Sequence, residues 1–249
     1  MEEKGFLRNS QIIVLGVCIA AATIASSVIL SQGFLKIAKF TKEVITVTGS
    51  AQKDIQSDYI AWHASFSARG ADLPATYKTL QEGLEKVKKY LEGKGVSAQE
   101  ILVSQISTET IYKKNENGND TNEIQCYRLS QSIEVGSKDV KKIAEVSREA
   151  TELINQGIEF NSQAPDYFYT RLDELKIEML ARATENAKAR AENMAKATGN
   201  RIGFMRSAKM GVFQITPVNS TEVSDWGVND ISSFEKKVTA VVTVSFSIE

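Results

Sequence analysis

Residues 238–248, Val-Thr-Ala-Val-Val-Thr-Val-Ser-Phe-Ser-Ile, decide the fold class of this chain. Val238, Ala240, Val242, Val244, Phe246 and Ile248 fall on one side of an extended backbone; Thr239, Thr243, Ser245 and Ser247 fall on the other. That period of two is the mark of a strand with one face on a core and the other toward water or a neighbour. Upstream the period changes. Residues 167–198 set Leu172, Leu175, Met179, Ala183, Ala187 and Met194 on one face of a long helix, and its many alanines favour helix and let the backbone approach a sheet closely. Gly199 is placed to stop it.

Working back from this pair, the same two periods recur. Val44 to Gly49 is a short β-branched run, and Tyr59 to Arg69 alternates Ile60, Trp62, Ala64, Phe66 and Ala68 with His63, Ser65, Ser67 and Arg69. A helix follows, opened by Asp72 and Pro74, striped by Tyr77, Leu80, Leu84, Val87 and Leu91, and ended by Gly93 and Gly95. Ile101–Lys113 and Ile124–Val135 read as two strands of a hairpin around the turn-rich stretch 114–123. Ser137 or Asp139 opens a second helix that Gly157 closes, and Ile158–Ala164 is a short strand. Ile202–Thr216 reads as a strand, followed by a loop over 217–233. The order from residue 43 is ββαββαβαββ, an α+β class with a mostly antiparallel sheet and packed helices. Neither a 20–50-residue repeat nor an internal boundary divides 43–249, so it reads as one domain.

The N-terminal end follows different rules. Between Asn9 and Leu35 there is no charged residue, and the centre, Ile12–Leu30 (IIVLGVCIAAATIASSVIL), measures about 29 Å as a helix, the thickness of a bilayer's hydrocarbon. The reading is a tail over 1–11, a transmembrane anchor over 12–35 and a linker over 36–42. A cleaved signal peptide and a buried core helix compete with it. Apolar Val28, Ile29 and Leu30 follow the small residues of 20–27, which counts against cleavage, and a core helix this long would ordinarily carry charge. A lipoprotein signal needs a small residue before its cysteine, and Val17 precedes Cys18. Lys4 and Arg8 before the span, against Lys36, Lys39 and Lys42 after it, leave the orientation undecided by charge.

Composition narrows the function. The chain has 249 residues and a formal net charge of −1, without the basic excess of a nucleic-acid module. Its two cysteines, Cys18 and Cys126, sit in the apolar run and in a strand, and make no disulfide framework. No phosphate-binding loop, nucleophile elbow or zinc-ligand spacing occurs. The single histidine, His63, lies on the polar side of its strand, a surface imidazole before a catalytic one. Glu174, Glu178, Glu185 and Glu192 alternate with cations on the long helix, as on a solvated ion-paired face. The chain therefore reads as a non-enzyme with no cofactor, no metal and no catalytic residues. Candidate interaction residues are Asn117 and Asn119 in the 114–123 turn and Trp226 and Phe234 in or beside the 217–233 loop. The asparagines serve turns equally well, as do the glycosylation-type triplets at Asn119 and Asn219, and such aromatics more often pin a loop onto the domain than form a recognition patch.

The order of certain residues is similar to that of SIMPL-domain proteins. Val47-Thr48-Gly49-Ser50-Ala51 with Asp58-Tyr59-Ile60-Ala61, Leu91 to Val96 with Glu100-Ile101, and Ala183 to Arg201 running into Ile202-Gly203 carry the resemblance. It covers nearly all of 43–249; Ser57, where the family commonly has proline, departs from it. The resemblance implies a bacterial cell-envelope protein, with the C-terminal domain outside the cytoplasm and no established enzymatic activity. Family members are described as surface antigens, as linked to oxidative stress, or as ring-like or channel-like oligomers. The expected partners are the membrane, through the N-terminal helix, and further copies of the chain, with no nucleic acid. The alternative is a partner- or ligand-binding module using the 114–123 and 217–233 loops.

Overall fold

The computed structural model describes residues 3–249, with side chains for residues 13–34 of the first helix and from residue 43 onward. The tail's Met1 and Glu2, and the side chains of Lys4, Arg8, Lys36, Lys39 and Lys42 on which the orientation count rests, lie outside that description. Helix α1 runs Glu3–Lys42 and holds an uninterrupted apolar window, Ile13–Phe34, long enough to cross a membrane and nowhere buried in the protein. It continues through 36–42, the expected linker, where neither glycine nor proline breaks it.

From residue 43 the chain is α+β, with antiparallel sheets, and falls into two compact units that divide three elements between them: β1 (Val44–Gln56), α4 (Leu172–Ala197) and β10 (Glu235–Ile248). The larger unit, 51–179 with 212–240, is built on a six-stranded sheet around β2 (Tyr59–Gly70) and β5 (Asp120–Ser137). β3 (Ile101–Val103) and β4 (Ser107–Lys114) pair with β5; β6 (Glu159–Ser162) and β7 (Asp166–Phe168) pair with β2. The alternation in β2 sends Ile60, Trp62, Ala64 and Phe66 into a core closed by α2 (Leu73–Gly93) and α3 (Val140–Glu149). Both helices start where the sequence predicts: the Asp72 carboxylate accepts from Ala75 N, and Asp139 from Lys142 N.

Predicted boundaries shift within this unit. The strand expected over Ile101–Lys113 is interrupted at residues 104–106: Ser104 N still donates to Ser132 O, but the Ser104 hydroxyl accepts from Ser132 N and its carbonyl from Gln131 Nε2, so side chains take over part of the ladder. The helix expected from residue 167 begins at Leu172, because Tyr167 and Phe168 instead form β7 opposite Ile60 and Tyr59.

The smaller unit contains 1–50, 180–211 and 241–249. Here β1 and β10 run antiparallel, Thr46 hydroxyl to Ser245 hydroxyl at 2.9 Å and Thr48 to Thr243 at 3.2 Å, and β8 (Ile202–Met210) pairs with the far side of β10. α4 lies close against β1. Any side chain at Gly49 would strike the Ala183 carbonyl and Ala187 nitrogen, and Ala183, Ala187 and Ala191 are wholly buried. Gly199 ends α4 in the left-handed region at φ +79°. The strand expected over Ile202–Thr216 breaks after β8, where Gly211 N donates to Val241 O, and resumes in the larger unit as β9 (Gln214–Pro217) beside residues 236–239 of β10.

Candidate interaction surface

The larger unit presents two loops with different internal chemistry. At the β4–β5 hairpin tip Asn115 does the folding: its Oδ1 accepts from the backbones of Asn117 and Asn119, and its own N–H donates to Asn119 O. Gly118 supplies the positive φ of +80° that the turn demands. Asn117 and Asn119 are exposed, and their nitrogens belong to the turn. Below them Lys113 and Glu123 form an exposed ion pair at 2.9 Å, and the Lys113 bond holds the Glu123 carboxyl below its ordinary range.

The loop after β9 is fastened from beneath by three side chains. Gln214 donates Nε2 to Ser224 O, and its Oε1 accepts from Ser224 N and Val228 N. Lys237 Nζ donates to Val218 O. Lys236, only 2% exposed, donates Nζ to Tyr167 O at 2.6 Å and to Asp230 O. Burial pushes this ammonium below the usual lysine value, with Asp230 and Asp166 pulling it part of the way back. For Asp230, burial alone would raise the carboxyl, but bonds from Ser232 and Ser233 and the Lys236 charge hold it low. The returning chain also pairs with β9: Ile215 N donates to Val228 O and Asp230 N to Ile215 O.

On this fastened base a turn at residues 224–227 displays Trp226, 94% exposed, with Gly227 at φ +88° and exposed Val223 nearby in sequence. Phe234 has the opposite fate. It packs against the core cluster, edge-on to Tyr167 at 6.2 Å between ring centroids, and its carbonyl accepts from Ser57 N. The two aromatics singled out from the sequence therefore divide into a display residue and a pin. Asn117 and Asn119 sit on a separate loop.

His63 stands on β2 across from Glu134 on β5, half-exposed, with Nδ1 3.9 Å from the carboxylate. Cys18 and Cys126 are both free. Among the described residues no group of three or more His, Cys, Asp or Glu is placed to hold a metal ion.

Sequence reasoning missed two features. One is Lys236, although it shares the inward phase of Val238 and Ala240 and was findable on that ground. The other is β8. In the register, Met210, Ala208 and Met205 stand opposite Val242, Val244 and Phe246, which are buried, yet Met205 and Met210 are 57% and 56% exposed, and Phe204 is 74% exposed. Among the described strands β8 pairs only with β10, so its outer backbone edge is open. The adjacent pair Phe204-Met205 breaks the alternation that would have signalled a one-sided strand.

A comparison with protein families matches residues 45–246 to the SIMPL family model, described as a protein of unknown function (DUF541). No curated protein matches the chain.

Proposed function

The chain belongs to the SIMPL family, and on that premise we propose that it is a membrane-anchored, non-enzymatic protein of the bacterial cell envelope whose domain lies outside the cytoplasm and associates with further copies of itself. The observation that carries this reading is β8. A sheet that leaves a nine-residue edge strand open, with exposed Phe204, Met205 and Met210 along it, leaves surface that a neighbour would cover at a gain. Each large apolar side chain removed from water contributes about 1.5–3 kcal/mol at most, and an open apolar edge is a template for pairing. The apolar window of α1 supports the anchor, and the family resemblance supports the envelope, the outside placement, a ring- or channel-like arrangement and a part in the stress response.

Light scattering on the full chain in detergent micelles tests the assembly. A discrete oligomer is expected, and a monomer at every workable concentration sinks the proposal. Protease protection on intact cells tests the sidedness, since a domain that stays protected places it inside. Trp226 favours a second reading, a partner-binding module using the 217–233 loop and the 114–123 turn. Deleting either loop would then remove a pull-down partner and leave the circular dichroism of the domain unchanged.

A further inference from the structure

The β4–β5 hairpin leaves another edge open. Among the described residues no backbone group of β4, Ser107–Lys114, bonds outside that hairpin. The bulges of the pair fall on β5, where Gln125 is the extra residue between Ile124 and Cys126, so β4 itself stays regular. β2 stops at Gly70, opposite Tyr127, and from Cys126 toward the tip the hairpin continues past it.

Glu109, Ile111 and Lys113 share one face of β4. Arg128 lies 3.7 Å from the Glu109 carboxylate, Cys126 stands half-buried in register with Ile111, and Glu123 lies 2.9 Å from Lys113. Arg128 also comes within 3.9 Å of Glu159, which holds Arg69 at 2.8 Å. Every charge of this group therefore has a partner inside the molecule, and the order of signs at the edge is what a neighbour meets. Glu109 is outermost in one row and Lys113 in another, with Ile111 midway between them.

That order selects one register. Opposed residues of an antiparallel pair present their side chains to the same face, so a strand meets its own copy about a residue and never between two. About Glu109 or about Lys113, like charges meet, which destabilises a ladder. About Thr110, Glu109 faces Ile111; about Tyr112, Lys113 faces Ile111. About Ile111, Glu109 faces Lys113 twice and Ile111 faces itself. The signs then alternate across four strands, Arg128, Glu109, Lys113, Glu123, on both sides of an apolar row of Cys126, Ile111, Ile111 and Cys126. Lysine on an edge commonly guards against pairing, but in this register Lys113 meets a carboxylate and Lys114 meets Thr108.

We propose that β4 pairs antiparallel with β4 of a second copy about Ile111, joining their six-stranded sheets into one. This rests on the self-association reading and supplies a contact separate from β8, two-fold and closed at two copies. An eight-residue edge is a small contact beside the roughly 1,200–2,000 Å² of a stable free-standing interface. Anchoring of both copies in one membrane by α1 makes the encounter local and is part of the proposal.

The test uses the full chain with Cys18→Ser and Cys126→Ser, reconstituted in vesicles of phosphatidylcholine and phosphatidylglycerol. Directly opposed residues of an antiparallel pair have Cα atoms about 4.5–5.5 Å apart, within disulfide range. Ile111→Cys as sole cysteine is therefore expected to yield a linked dimer under mild oxidation. Thr108 lies about 20 Å from its own copy in this register, at about 3.4 Å per residue. Thr108→Cys alone should link about tenfold more slowly or less, yet link readily when mixed with Lys114→Cys. Glu109→Lys and Lys113→Glu each set like charges face to face and are expected to slow the Ile111→Cys link about tenfold. An equimolar mixture of the two restores opposite signs at both places, and recovery of the link there shows that the variant hairpins are folded. A mixture no faster than either variant alone, or an Ile111→Cys link no faster than that of Thr108→Cys alone, overturns this pairing; oligomers seen by light scattering would still leave self-association standing. A chain that is monomeric in detergent and forms no Ile111→Cys link in vesicles removes the self-association reading with it.

Discussion

β8 and β9 follow one another in the chain, and both pair antiparallel with β10, yet their outer edges are treated differently. β9 has its own chain returned to it: Val228 O and Asp230 N complete the bonds of Ile215, and Gln214, Ile215 and Thr216 are buried. β8 has no such return among the described strands, and residues 204–210 are exposed on both faces. A sheet edge is a row of unpaired donors and acceptors, and a chain that folds alone tends to cover it, twist it away or charge it. Here one edge is covered by a loop, and the other carries cations and exposed methionines. The difference teaches that β9 is finished within the molecule and that, among the described residues, β8 is not.

The comparison breaks most visibly if the finished edge is emptied. Ile215 is buried between β10 and the returning loop. Ile215→Ala is expected to cost about 2–5 kcal/mol, the lost transfer energy plus the cavity left behind. Chemical denaturation of the full chain in micelles measures it. A loss below about 1 kcal/mol, outside that range, would mean the loop does not seal β9 as described.

Next in size is Lys236→Met. The substitution keeps the length of the side chain and removes the ammonium that donates to Tyr167 O and Asp230 O, leaving both carbonyls short of that donor. Each orphaned buried group costs about 1–3 kcal/mol, and relief of the desolvated ammonium offsets part of that for the pair, so a loss of about 2–4 kcal/mol is expected. Limited proteolysis should move with it, because the 218–231 segment loses its tie to β7. If the variant keeps wild-type stability and the loop stays resistant, the ammonium is not what fastens the loop.

How much of this was legible in the sequence depends on whether a residue's role is set locally. The alternation of 238–248 predicts β10, and Asp72 and Asp139 predict their helices, because a period or a cap is written in neighbouring residues. The break between β3 and β4 is not local, since it depends on Ser104 meeting Ser132 across the sheet. Nor is β7, whose aromatics are claimed by β2. The same distinction sorts the candidate site. Trp226 sits in a turn marked by Ser224, Asp225 and Gly227, so its exposure follows from turn chemistry. Phe234 is drawn in by Tyr167, a residue distant in sequence. Phe204, Met205 and Met210 are plain in the sequence, but their exposure depends on what packs against β8, which composition does not carry.

A smaller effect sharpens the comparison through pH. Burial lowers the folded-state value of Lys236 from the ordinary 10.5. Below the lowered value both the folded and the unfolded chain hold the proton, and the cost of burying the charge is fully present. Between the lowered value and 10.5 the unfolded chain still binds a proton that the folded chain has released, so stability from this group rises with pH. The stability of the wild type relative to Lys236→Met is therefore expected to grow as pH climbs from neutrality toward 10.5, read from denaturation curves of the two proteins in parallel. A difference that shrinks over the same range would contradict a desolvated ammonium beneath the loop.

The smallest effect belongs to β8, and its smallness is the point. Met205 and Met210 already meet solvent over more than half of their surface, so replacing both with serine removes little buried area from the dispersed chain. Met205→Ser with Met210→Ser is expected to change unfolding stability by no more than about 0.5 kcal/mol, the ordinary range for surface positions. In β9 a single buried isoleucine costs several times that. If the β8 pair proves costly in dispersed protein, its methionines are packed within the monomer, and the contrast between the two edges fails. If the pair is neutral there but lowers the assembled mass, the apolar surface of β8 is held for something outside the chain, and the assembled mass is where its contribution appears.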